Sequence, residues 1–371
     1  MNDYQKVYNI IIKTHAPLHI GSGTTLTKKD YVFDRKTDTV KVINMNKLLQ
    51  MLASKNQFDS YRQFMCGTNN DLNYWLMNNG FTNDDIENLT AYTLDCSSTS
   101  LSANSKQREI KAFVKDAYGN AYIPGSSVKG CLRTALLAYF IEKGPEQFSD
   151  VKRKIINAVP KYEGDKSYLN YEVKQLESIA FNKADRNHEK IRDAVNDIMQ
   201  GIIISDSDAV PANRLTLCNK LDKTIKGVYK DLPIFFESIM PDTLISLTLT
   251  IDSTFCKRTI NDIKQAINCF GEAYYNNFLV DFDLPKPESS DTIYLGGNCG
   301  FATKTVLYNL FEKQQAVKQA SIAINNIKDS KKYSKNKGDV KLGISPHTVN
   351  LTRFAGCECH MGEAGFIVKT N

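Results

Sequence analysis

The segment Tyr122-Ile-Pro-Gly-Ser-Ser-Val-Lys-Gly-Cys-Leu-Arg133 sets a proline and a glycine ahead of a run in which Val128, Leu132, Ala135, Leu136 and Tyr139 share one face, and Gly144-Pro145 closes it. That spacing predicts an amphipathic helix, with Ser126 or Ser127 as its cap. Gly125 to Gly130 has the four-residue gap of a nucleotide-binding P-loop, but Lys129 precedes the second glycine and Cys131-Leu132 stand where Lys-Ser/Thr belong. A nucleotide-binding enzyme is therefore set aside. What remains is a helix start with two hydroxyls and with Lys129 and Arg133 one turn apart, chemistry that suits a phosphate. The plainer reading is a capped helix carrying two surface cations.

Outward from this helix the chain alternates strand and helix signals. Tyr8–Lys13 is rich in β-branched residues and runs past Pro17 into Gly21-Ser-Gly23, a strand entering a glycine loop. Strands are expected near Tyr31–Phe33 and Val40–Ile43, and a helix over Met45–Ala53. Residues 54–110 are polar and weakly periodic, which predicts inserted short helices and loops. A polar, mainly helical region runs to about residue 200, with an amphipathic turn series at Ile191, Ala194, Val195 and Ile198. Ile202–Ser205 then reads as a strand and Phe235–Ile251 as one long strand pattern. Ile263, Ile267, Phe270 and Tyr274 mark a second amphipathic helix, and Asp283–Ser290 a loop. Lys328–Lys341 reads as a mobile loop, and His347–Lys369 as final strands with turns or bulges at Gly356, Gly362 and Gly365.

At 371 residues the chain is long enough for two ordinary domains. With 42% hydrophobic and 24% charged residues it belongs with folded globular proteins, not disordered ones. No apolar run approaches the ~18 residues of a spanning helix, and the opening Met-Asn-Asp-Tyr-Gln-Lys does not resemble a secretory signal. Nine cysteines without framework spacing suit a reducing compartment, so a cytoplasmic location is expected. The net charge is +6, and residues 304–341 alone carry an equal excess: nine lysines against Glu312, Asp329 and Asp339. Such a concentration suits a polyanion; a solvated lysine-rich loop explains it as well.

Ile123-Pro-Gly-Ser-Ser-Val-Lys-Gly-Cys-Leu-Arg133 resembles the signature segment of the RAMP superfamily, the proteins that build CRISPR ribonucleoproteins. Thr14-His-Ala-Pro-Leu-His-Ile-Gly-Ser-Gly23 is similar to that family's opening strand and loop. Tyr294-Leu-Gly-Gly-Asn-Cys-Gly-Phe-Ala-Thr-Lys-Thr305 is similar to its C-terminal glycine-rich loop. Within the superfamily, the length, the late glycine loop with Lys304 and Ser345–Leu351 look most like the type III-A (Csm) member at the crRNA 3′ end.

The resemblance implies an α+β protein of two ferredoxin-like (RRM-like) modules with helical insertions, expected here as residues 1–200 and 201–371. It implies a non-catalytic subunit that binds crRNA, meets target RNA indirectly, docks on the repeated RAMP backbone subunit and the small subunit, and is needed for crRNA maturation, with host nucleases as trimming partners. It implies RNA contacts at His19, Gly21, Gly23, Ser126, Ser127, Lys129, Arg133, Gly296, Gly297, Asn298, Gly300 and Lys304. Glycines let protein backbone approach a phosphate closely, and Lys304 adds charge. Gly296-Gly297 also reads as a tight hairpin. Tyr122, Tyr294 and Phe301 are candidates for base stacking, with core packing the ordinary role.

The rival function is a RAMP-type endoribonuclease acting on the crRNA precursor. His15, His19 or Asp30 would serve its active site, because some relatives use histidine as general acid or base. Cys357-Glu-Cys-His360 lacks a second pair at zinc spacing, and Asp206 and Asp208 read as a strand end. Neither a metal nor another cofactor is expected.

Overall fold

The structure is a computed structural model that describes residues 4–69, 71–97, 99, 109–162, 164–165, 167–327 and 338–369. Strand β1 (Gln5–Thr14) passes Pro17 into β2 (Gly21–Leu26), then β3 (Tyr31–Asp34) and β4 (Thr39–Ile43). Four short helices follow, α1 (Met45–Ser54), α2 (Phe58–Cys66), α3 (Leu72–Asn78) and α4 (Asn83–Leu89), ahead of β5 (Thr90–Asp95) and β6 (Ile110–Phe113). Helices α5 (Gly125–Lys143), α6 (Ser149–Asn157) and α7 (Asn170–Phe181) lead to β7 (Ile202–Ile204), β8 (Leu215–Thr224), β9 (Tyr229–Ile239) and β10 (Leu244–Asp252). The remainder is α8 (Ile260–Asn277), β11 (Thr292–Tyr294), α9 (Leu307–Leu310), α10 (Lys313–Ile327), α11 (Asp339–Leu342), β12 (Thr348–Phe354), β13 (Cys357–Cys359) and β14 (Glu363–Val368).

The strands form two sheets. In the first, antiparallel pairing gives the order β11-β14-β1-β10-β7. The units β1-α5-β7 and β10-α8-β14 interleave in it, which is the split-βαβ arrangement of a ferredoxin-like module, with β11 added outside β14. Alternation along β1 turns Ile10 and Ile12 inward, both fully buried. The buried faces of α5 (Val128, Leu132, Leu136) and α8 (Ile263, Ile267, Phe270) join the same core, and the two helices pack on each other.

The second sheet runs β2-β6-β9-β8-β5-β4-β3, with β12 beside the end of β8 and β13 beyond it. Between β4 and β5 the inserted helices α1–α4 enclose a second core, in which the Trp75 ring lies 5.3 Å from Tyr61 and 5.6 Å from Phe64. The α+β class and the helical insertion follow the sequence reading. Both sheets draw strands from both sides of residue 200, so a division there falls inside the ferredoxin-like module and not between the sheets.

Three local expectations are corrected. Phe235–Ile251 is not one strand, because Pro241 and Asp242, the latter at φ 56°, break it. Asp242 donates its amide to the Thr14 carbonyl at 2.8 Å, and β9 and β10 go to different sheets. The turn series Ile191–Ile198 is not amphipathic: it is bends and short 3₁₀ turns held by Asp193 and Asp197 side chains, which bury Ile198 but leave Ile191 and Val195 exposed. Helix α5 starts at Gly125 with Pro124 at the N-cap, so neither Ser126 nor Ser127 caps it. Of Lys328–Lys341, residues 328–337 lie outside the described residues. No helix among the described residues is long and apolar enough to cross a membrane.

Candidate nucleic-acid interface

Three motifs more than a hundred residues apart meet at one cleft. After β1, the turn through Pro17 and Leu18 drops His19 into the interior, where its Nδ1 lies 2.6 Å from the Glu237 carbonyl and its ring edges against Phe236 and Phe113. The side chain of Glu237, fully buried beneath it, accepts from Lys115 at 2.6 Å and from the Phe113 amide at 2.9 Å. Burial holds the His19 imidazole below its ordinary pKa, and the Glu237 carbonyl offsets this in part. His19 is therefore a neutral bracket at physiological pH, and its backbone does the assembling.

Its carbonyl accepts the Gly297 amide at 2.6 Å. At Gly296, φ is +89° and a Cβ would stand 2.2 Å from the same carbonyl. A side chain there would collide with the chain's own backbone, so the glycine reflects internal packing before any ligand. Gly362, at φ +82°, is locked likewise: a Cβ would meet Cys299 Sγ at 2.3 Å and the Leu295 carbonyl at 2.4 Å. The hairpin reading of Gly296-Gly297 is set aside, because β11 pairs with β14 and not with the chain that follows the glycines.

Helix α5 supplies the third wall. Ser127, Gly130, Cys131 and Thr134 fall at helical spacing on one stripe, and Cys131 Sγ donates to the Tyr294 carbonyl at 3.6 Å. Together with Ile20, Gly21, Gly296, Gly297, Thr303 and Lys304 they line a cleft of about 410 Å³. Its surface combines backbone, the hydroxyls of Ser127, Thr134 and Thr303 and the exposed Lys304 cation with the side chains of Ile20, Cys131, Tyr294 and Leu295, and no carboxylate is among the described lining residues. The Cys131 thiol is pushed up to about 11 by burial, against the pull of Lys304, so it is a neutral wall group and not a nucleophile.

Of the twelve residues expected to contact RNA, Gly21, Ser127, Gly296, Gly297 and Lys304 line this cleft, His19 belongs to the backbone that shapes it, and Gly300 lies on the other side of the loop, toward Asn350. Gly23 sits in open space at φ +84° on β2, and Asn298, at φ 62°, turns its amide toward Met361 Sδ at 3.3 Å. Ser126, Lys129 and Arg133 lie on a neighbouring stripe of α5. Arg133 is engaged there: Nη1 donates to Asp197 at 2.8 Å, Nη2 to Glu177 at 3.2 Å, and the guanidinium lies 4.0 Å from the Phe181 ring centroid. Burial lowers the Lys129 pKa, with Asp197 acting against it.

The helix terminus is also taken, since the Gly125 amide donates to Asp206 Oδ1 at 2.8 Å. That gives Asp206 a capping role. Thr134, Thr303 and Cys131 were not singled out from sequence; the 127/130/131/134 spacing on a helix already framed by glycines is the signal that could have found them.

The remaining candidates disperse. His15 is exposed, with Nε2 over Gly365 of β14, and Asp30 Oδ2 closes its own turn by accepting from the Thr27 amide and hydroxyl. No hydrogen bond or ion pair among the described residues joins His15, His19 and Asp30. His360 is buried against the Tyr274 hydroxyl at 2.7 Å, and no group of three metal-ligating side chains is found among the described residues. Tyr294 is buried, and Tyr122 and Phe301 are half-buried.

The family model of the RAMP superfamily matches residues 11–349. The chain is 27% identical to the CRISPR system Cms protein Csm5 of Streptococcus thermophilus, over 99% of this chain and 98% of that one. It is also 27% identical to the protein of the same name from Mycobacterium tuberculosis (strain CDC 1551 / Oshkosh), over 82% of this chain and 84% of the relative. Among solved structures it resembles a chain of a Csm–crRNA–target RNA ternary complex of a type III-A CRISPR-Cas system, seen by cryo-electron microscopy, with TM-score 0.65, 18% identity, and coverage of 98% of this chain and 100% of that one. The crystal structure of T. onnurineus Csm5 superposes with TM-score 0.58 and 18% identity, over 96% and 99% of the two chains.

Proposed function

The chain belongs to the RAMP superfamily, and from that premise we propose that it is the Csm5-type subunit of a type III-A CRISPR effector complex, a non-catalytic protein that holds crRNA. In this reading it caps the 3′-end side of the crRNA, docks on the repeated RAMP subunit and the small subunit, meets target RNA only through the guide, and supports crRNA maturation in the cytoplasm. The observation that carries the reading is the junction of the His19 turn, the glycine loop and helix α5 in one cleft that carries hydroxyls and a single lysine and no carboxylate among its described lining residues. Such a surface grips phosphates without touching base edges, and a guide must keep those edges free for pairing. The dispersal of His15, His19 and Asp30 supports the non-catalytic form of the proposal over the endoribonuclease.

The test is binding of labelled repeat-containing crRNA to the full chain across a salt series. Lys304→Ala should weaken binding and lower the salt slope by about one. An unchanged slope and affinity would overturn the assignment of the cleft. Cleavage of the RNA by the purified chain, lost in His19→Ala, would overturn the non-catalytic reading in favour of the nuclease.

A further inference from the structure

The glycine loop has a second side. Thr303 and Lys304 face the cleft, whereas Cys299 to Ala302 form one wall of a separate pocket of about 150 Å³. Its opposite wall is the β8–β12 ladder. Asp222 is paired with Asn350 across that ladder, Lys220 lies two residues along on the same face, and Leu221 and Val349 turn their side chains into the core. Tyr274, Phe278 and Ile324 close the floor. The pocket therefore has an apolar base, one half-buried aromatic ring at Phe301, and a polar edge.

That edge is chemically incomplete. Asp222 Oδ1 is buried and accepts no hydrogen bond from the described residues. Lys220 Nζ lies 3.3 Å from it, close enough for attraction but not aligned to donate. A buried acceptor left open in this way is unfavourable unless something else fills it. An anion would be repelled by the carboxylate, and the volume falls below the ~300–1,000 Å³ of a site for a drug-sized ligand. A single planar heterocycle with ring N–H donors beside an acceptor meets the carboxylate, the ammonium and the ring of Phe301 together.

From this arrangement we infer that the pocket receives one unstacked nucleobase of the bound RNA, and that the Watson–Crick edge of guanine is its best complement. N1–H and N2–H of guanine face Asp222, O6 faces Lys220, and the base plane lies against Phe301. Lys304 is three residues from Phe301, at most roughly 10 Å of extended chain. A strand whose phosphates pass Lys304 in the cleft thus has a base within reach of the pocket. The inference rests on the RNA-holding reading of the cleft and adds to it one base-reading contact, which suits a guide only at a position whose base does not vary.

The experiment measures binding of the full chain, by fluorescence anisotropy, to labelled oligouridine probes of equal length carrying one central guanosine, inosine or uridine. The guanosine probe is expected to bind about tenfold tighter than all-uridine, with inosine between them because it lacks the N2 donor. Asp222→Asn should remove this order and leave the salt slope unchanged. Phe301→Ala should weaken the guanosine probe severalfold. Far-ultraviolet circular dichroism shows whether either substitution acts through misfolding. Equal affinity for all probes in the wild-type chain, with a normal salt slope, overturns the pocket and leaves the cleft standing. So does an Asp222→Asn chain that keeps the guanosine preference but no longer assembles with its partner subunits, because the pocket would then be a protein contact. Failure to bind any probe at low salt overturns both.

Discussion

Gly296→Ala tests whether the cleft is built by backbone contact. Alanine at φ near +89° costs ~1–2 kcal/mol, because an L-residue is crowded in the left-handed region. Its Cβ would begin 2.2 Å from the His19 carbonyl oxygen, so the loop must retreat by about 1 Å to reach ordinary contact. That retreat breaks the 2.6 Å bond from the Gly297 amide to the same oxygen, worth about 1 kcal/mol net. The expected loss is ~2–4 kcal/mol, together with severalfold weaker RNA binding from a displaced Lys304. Two glycines calibrate the result. Gly23→Ala shares a positive φ but meets nothing within 4 Å, so it should cost only ~1 kcal/mol. Gly130→Ala, inside α5 with open space around it, should stabilise by ~0.5–1 kcal/mol. Urea unfolding of the three variants gives the comparison. A Gly296→Ala chain no less stable than Gly23→Ala would refute the backbone bracket.

Other substitutions separate structural from RNA-facing charge. Arg133→Ala should lower stability by ~1–2 kcal/mol, by leaving Asp197 and Glu177 without their partner and uncovering Phe181, yet leave the salt slope of RNA binding where it was; a fall in slope of about one would place Arg133 on the RNA. Asp206→Ala should cost about 1 kcal/mol through the orphaned Gly125 amide, and Asp208→Ala under ~0.5 kcal/mol, as read from urea midpoints. Glu363 is raised by burial to about 7 from an ordinary 4.5. Between those values the folded chain keeps a proton that the unfolded chain has released, so this contribution is complete below about pH 4.5 and is lost as pH rises through 7. Glu363→Gln should therefore gain ~1–3 kcal/mol over the wild type at pH 8 and nothing at pH 4.5, as measured by guanidinium unfolding at the two pH values; equal differences at both would rule this out.

Local pattern alone determined a good deal of this protein. The 3.6-residue spacing of Val128, Leu132 and Leu136, and of Ile263, Ile267 and Phe270, is a property of each helix by itself, and both helices stand where the pattern put them. The same holds for the β-branched run of β1, and the match to the family model spans all three glycine-bearing motifs. Tertiary structure decided which strands share a sheet. Nothing local in Phe235–Ile251 reveals that its two ends part at Pro241-Asp242, because partner choice depends on Thr14 and Leu18, more than two hundred residues away. It also decided the fate of the charges. Lys129 and Arg133 look alike as residues on a helix face, but Asp197 and Glu177 arrive from other segments to occupy Arg133, while Lys304 lies exposed at the cleft. Charge and periodicity are carried by the residues themselves; neutralisation and enclosure depend on which distant residues folding brings alongside.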